Sequence, residues 1–92
     1  MSDYNPDHII AMVEIYHIAN NLILALATQE SGKNHFLIGF TLETLKLLEE
    51  AANEHGALVE HKYFASKNQF IEFAASNELL GRNMDWVYEQ MR

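Results

Sequence analysis

Between Asn34 and Gly56 the apolar residues recur at helical spacing. Leu37, Leu45, Leu48 and Ala52 form one row; Phe36, Phe40, Leu47 and Ala51 form a second beside it. Glu43, Lys46, Glu50, Asn53 and Glu54 hold the remaining face, which is polar throughout. So wide an apolar arc predicts an amphipathic helix packed on two sides, the central element of the chain. Asn34 suits its N-cap and Gly56 a left-handed residue just past its end. Gly39 inside it costs about 1 kcal/mol relative to alanine, a cost that close helix packing would explain.

The other elements follow from similar signals. Asn5-Pro6-Asp7 reads as a helix start, with a first helix predicted to about Gln29 through Ile9, Met12, Val13, Tyr16, Ala19, Ile23 and Leu26. Glu30-Ser31-Gly32-Lys33 breaks the pattern, and so short a link favours a helical hairpin. Ser66-Lys67-Asn68-Gln69 has the form of a capping box and opens a helix to about Ala75. Leu80, Met84, Val87 and Met91 mark a last helix, re-angled at Gly81. The stretch Ala57–Ala65 alternates as a strand would, at Val59, His61 and Tyr63, but a lone strand has no partner. The expected fold is therefore all-α, a compact bundle of four or five short helices in one domain spanning 1–92, with the central helix at about 34–55. The alternative is α+β, with a short strand at 57–65.

Charge narrows the function classes. Thirteen acidic residues against six basic ones give a net charge of −7. Nucleic-acid binders need a basic footprint to neutralise phosphates, and anionic membranes repel such a chain. Direct binding to nucleic acid or membrane is not expected. The longest apolar run, Ile9–Ala27, is interrupted by Glu14, His17, Asn20 and Asn21, too polar a pattern to span a bilayer. Without cysteine there are no disulfides, thiolate metal sites or cysteine nucleophiles. The acidic start, without a basic n-region, points to a cytoplasmic setting.

Candidate chemistry is sparse. Glu14 and His17 have the E-x-x-H spacing of a di-iron ligand pair, but no second pair accompanies them. His55 and His61 flank a turn near Glu54 and Glu60, at a spacing that matches no zinc pattern. Ser31, Ser66 and Ser76 occupy turn or cap positions, and no glycine-rich phosphate loop exists. The reading is of a protein without enzymatic activity, catalytic residues, metal or cofactor.

Two features remain as candidate partner-binding residues. Glu43, Glu49, Glu50, Glu54 and Glu60 form an acidic row that could occupy a basic groove. Tyr63, Trp86 and Tyr88 are aromatics that one apolar stripe cannot bury together, and such residues anchor interfaces. In size, acidity, lack of cysteine and expected helicity the chain resembles the small inhibitors that phages make against host nucleases and CRISPR complexes. That resemblance of profile implies a protein partner with a basic, nucleic-acid-binding surface. The expected function is a protein-binding module. The alternatives are a self-associating accessory subunit, a homodimer covering its apolar helices, and a small metal- or ligand-binding protein.

Overall fold

A computed structural model describes residues 9–19 and 21–92. It is an α+β fold and not a helical bundle. Strands β1 (Ile10–Ala19), β2 (Leu22–Gln29) and β3 (His35–Thr41) are followed by α1 (Leu42–Glu54) and β4 (Leu58–Tyr63). Three helices complete the chain: α2 (Lys67–Ser76), α3 (Glu78–Gly81) and α4 (Met84–Gln90). The strands form one sheet in the order β3-β2-β1-β4. β2 is antiparallel to β1 and β3, whereas β4 lies parallel to β1. The carboxyl ends of β1, β3 and β4 therefore share one end of the sheet.

The first expected helix is instead the β1–β2 hairpin. Between Val13 and Ala27 most strand residues on both faces of the sheet are apolar, because helices cover it on both sides. Strands buried on both faces read as continuous hydrophobic runs without a period of two, and helical spacing can be traced through such a run. The turn between the strands includes Asn21. Asn21 has φ +64°, the left-handed conformation that asparagine tolerates and that tight hairpins require. The expected cap at Asn5-Pro6-Asp7 lies outside the described residues.

The expected central helix divides at Thr41. Phe36, Ile38 and Phe40 alternate with Leu37, Gly39 and Thr41 along β3, and only Leu42–Glu54 is helical. Gly39 marks a close approach in a strand: a Cβ there would meet Gln90 Oε1 of α4 at 2.7 Å. The helix ends as Gly56 predicts. The N–H of Ala57 donates to Ala52 O, that of Gly56 to Asn53 O, and Gly56 has φ +75°, the hydrogen-bond pair of a Schellman cap.

Within 57–65, Leu58–Tyr63 is a strand, and it is not alone. It pairs with β1 from Met12↔Leu58 to His17↔Tyr63. The partner was hidden because β1 itself read as helix. The capping pattern at Ser66 forms: Ser66 Oγ accepts from Gln69 N–H, and Gln69 Oε1 accepts from Ala65 N–H.

The core has two halves. On one face Tyr16, Ile18, Leu24 and Leu26 pack against Phe70, Ala74, Leu80 and Val87 of α2–α4. On the other, Val13, Ile15, Ile23, Ala25 and Ala27 meet Ala52, Leu45 and Leu48 of α1. Four strands at about 4.8 Å spacing are wider than one helix of about 10 Å diameter. Among the described residues the α1 side is thus the incompletely covered one.

Truncation should separate these roles in urea denaturation. Phe70→Ala, at a fully buried ring, should cost about 3–5 kcal/mol. Asn77→Ala should cost about 1 kcal/mol, because Asn77 Oδ1 accepts from the N–H groups of Leu79 and Leu80. Leu47→Ala, on the outer face of α1, should change stability by less than about 0.5 kcal/mol.

Candidate functional site: the α1 side of the sheet

The acidic row predicted from sequence does not lie on one surface. Glu43, Glu50 and Glu54 are exposed on the outer face of α1, with Leu47 among them, 66% exposed. Glu49 turns towards the sheet, its Oε1 lying 3.7 Å from His61 Nε2. Glu60 pairs in register with Glu14, so it faces the side of the sheet opposite α1.

The aromatic set divides as well. Tyr63, at the end of β4, is exposed and stacks on His17 with ring centroids 4.4 Å apart and planes 13° from parallel. Trp86 is half-buried against the core beneath α2–α4, and Tyr88 is exposed on α4. Neither joins Tyr63.

What the fold does bring together is His17 and His61. Parallel pairing sets Ile15 opposite His61 and His17 opposite Tyr63, so the two imidazoles are diagonal neighbours on the α1 face. His17 Nε2 and His61 Nδ1 are 2.7 Å apart, a single hydrogen bond whose donor depends on the tautomer. Glu49, His61 and His17 form a chain of contacts. Among the described residues no three His, Cys, Asp or Glu side chains are grouped to hold a metal ion. The E-x-x-H pairing is dissolved, since Glu14 and His17 sit three apart on a strand and point to opposite faces. Glu14 instead accepts from Tyr16 Oη at 3.4 Å and lies 3.3 Å from Lys62 Nζ. Burial, reinforced by Glu14, pushes the Tyr16 hydroxyl well above the usual tyrosine range. His55 is the C-cap residue of α1 and lines the cleft beneath that helix, whereas His61 meets His17 and Glu49. The His17–His61 pair was legible only to a reader who had both strands and their parallel register.

Two openings flank α1. At the carboxyl ends of the strands a shallow depression is bordered by His17, Asn21, Leu42 and Tyr63. At the opposite end a larger cleft of about 700 Å³ lies between the last turns of α1 and the sheet. Its walls are mostly apolar.

Together these features define a small α+β protein with a four-stranded mixed sheet, helices on both faces, and one face partly open. Comparisons with protein-family models, curated protein sequences and solved structures find no match. No helix among the described residues is long and apolar enough to cross a membrane.

The histidine pair has a consequence for stability. Desolvation, then the neighbouring His61, lowers the pKa of His17 below its ordinary 6.5, against a smaller opposing pull from Glu49. The folded state therefore binds this proton less readily than the unfolded chain. Above pH 6.5 neither state holds the proton and nothing is lost. As pH falls through 6.5 the unfolded chain takes it up first, and stability declines. Urea midpoints should fall from pH 7.5 to 5.5 in the wild type. His17→Phe, which keeps an aromatic ring against Tyr63, should flatten that decline. An equal decline in the variant would assign it to other groups.

Proposed function

We propose that the protein is a non-enzymatic, self-associating binding module, and that two copies join through the free edge of β3. The observation that carries this reading is the contrast between the two sheet edges. Exposed sheet edges are normally guarded by charges, because their unpaired N–H and C=O groups recruit other strands. β4 has such guards in Glu60 and Lys62. β3, His35-Phe36-Leu37-Ile38-Gly39-Phe40-Thr41, has no Asp, Glu, Lys or Arg along seven residues, and Phe36 is 50% exposed beside it.

Symmetry restricts the pairing. In an antiparallel β3–β3 pair about a two-fold axis, directly opposite residues must point to the same side of the joined sheet. Phe36, Ile38 and Phe40 share the α1 face. Pairing centred on Ile38 sets Phe36 opposite Phe40 of the second copy, an aromatic cross-strand pair of the kind that stabilises sheets. Such an isologous contact closes after two subunits.

Sedimentation at micromolar concentration should give about twice the 10.6 kDa chain mass. Phe36→Lys places a gatekeeper charge on the edge at a half-exposed position. It should give monomers while the melting temperature stays within a few degrees. A wild-type monomer at hundreds of micromolar, or an undiminished dimer in the lysine variant, would refute the reading.

A second reading is supported by the outer face of α1. Glu43, Leu47, Glu50 and Glu54 follow one another at i, i+4, i+7 and i+11, a single stripe with an apolar residue inside an acidic border. Such a ridge suits a basic protein surface in the cytoplasm, and a dimer would present it twice. Replacing Glu43, Glu50 and Glu54 by Gln should slow association with a basic partner and weaken its salt dependence. Exposed charges contribute little to folding, so the melting temperature should shift by no more than a few degrees. Binding unchanged across a salt series would make the carboxylates a solvated face only.

A further inference from the structure

A cleft lies beneath the last turns of α1, bordered on one side by Phe36 and Ile38 of β3. Val13, Ala27, Ile38, Leu48 and Ala52 supply its apolar wall, and Gln29 is the polar residue buried in that wall. At about 700 Å³ it is within the range of small-molecule sites, which pair an apolar lining with a few polar groups. Local structure explains how it forms. Between Ile10 and Met12 the register with β2 shifts by one residue, a bulge at Ala11. The bulge turns Ile10 to the same face as Val13, where it joins the core cluster under α1. The small side chains of Ala27 and Ala52 then leave the space between helix and sheet unfilled.

Gln29 gives the cleft its chemistry. The residue is only 7% exposed. Its main chain is satisfied, since its N–H donates to Asn34 O at 3.1 Å and its carbonyl accepts from Gly32 N–H at 2.9 Å. Its side-chain Oε1 is buried with no hydrogen-bond partner among the described residues. An unpaired buried acceptor is destabilising and is seldom retained without a reason. The terminal amide torsion is soft, so a small rotation turns this group to a molecule lying in the cleft.

We infer that the cleft binds a neutral, mainly apolar small molecule whose hydroxyl or carboxamide head donates a hydrogen bond to Gln29. Charge argues for neutrality, because the chain carries −7 and no Lys or Arg among the described residues lines the cleft. A carboxylate head placed against Gln29 would be desolvated, and the basic residue of the lining, His55, is exposed. The lining belongs to one copy of the chain, and because Phe36 and Ile38 also lie on the β3 edge, substitutions at Gln29 and Ala51, off that edge, separate ligand binding from self-association.

The probes are hexan-1-ol, octan-1-ol, octanamide and octanoate, titrated into the full-length protein by calorimetry and by methyl nuclear magnetic resonance. Affinity should rise about fourfold for each added methylene of the alcohol, the increment expected for buried CH2 groups. Octanol and octanamide should bind at least tenfold more tightly than octanoate. Shifts should centre on the methyl groups of Val13, Ile38 and Leu48. Gln29→Met keeps length without the amide and should weaken octanol and octanamide about three- to tenfold. Ala51→Trp fills the mouth from an exposed helix position and should abolish binding while leaving the β3 edge and the oligomeric state untouched. No binding by the full-length chain up to probe solubility would overturn the inference, whatever closes the cleft. Shifts elsewhere in the wild type, or octanoate binding as tightly as octanol, would also overturn it. Unchanged affinity in Gln29→Met would remove the role given to the amide.

Discussion

The structure depends on burying the β1–β2 hairpin on both faces. Ile15, Tyr16, Leu24 and Ala25 are all fully buried, and they point alternately up and down from adjacent strands. A sheet centre of this kind needs a cover on each side, since either face left to water would expose a row of aliphatic side chains. The chain provides unequal covers. Three helices close over Tyr16 and Leu24, joined to β4 through Phe64, whose ring meets Phe70 and Phe73 at 5.2 and 5.1 Å. One helix closes over Ile15 and Ala25. The β3 edge, the cleft and the histidine pair all lie where that single helix stops.

The parallel contact between β1 and β4 is held differently on its two faces. On the three-helix side Glu14 bridges Tyr16 and Lys62, and the Lys62 ammonium also lies 5.3 Å over the Phe73 ring, a cation–π distance. On the α1 side the same two strands are joined by His17, His61 and the Tyr63 ring. One contact is a set of opposite charges that neutral pH keeps in place. The other is a pair of imidazoles joined by one hydrogen bond, in which burial and the neighbouring ring hold the pKa of His17 below its ordinary value. That asymmetry also accounts for the guarded edge: β4 carries charged and titratable side chains because it uses them to reach β1.

How much of this was legible in the sequence varied with the local physics. The Gly56 cap, the Ser66 cap and the break at Gly81 are side-chain or backbone signals contained within a few residues, and they describe the helices that form. The strands fail for the converse reason. Val13 to Ala27 is apolar on every position that a two-sided sheet buries, so neither a period of two nor a period of 3.6 is imposed on it. Its turn carries Asn21, not glycine, at the left-handed position. At Phe36–Thr41 an alternation was present, but the following residues Leu42–Glu54 are strongly helical, and the wider pattern absorbed the strand. The candidate residues inherited that error. Glu43, Glu50 and Glu54 stay together because they lie on true helix, whereas Glu49 and Glu60 part from them. His17 and His61 meet only through strand pairing, across 44 residues, and no local pattern encodes that.

Among the described residues the open face follows from topology rather than from a defect in packing. A domain of this size buries a smaller share of its surface than a larger one, and a fourth strand adds width that must be covered. Here the added strand is β4, reached by the α1 crossover, and the crossover helix is the cover that this face has. Moving α1 toward β3 would shield Phe36 and Ile38 but withdraw Leu45 and Leu48 from the sheet centre and Glu49 from His61. Placing it centrally leaves both flanks thin, at the carboxyl ends beside Tyr63 and at the opposite ends above Gln29. One helix over four strands cannot close both, so the surfaces left for partners or ligands are those that the topology leaves uncovered.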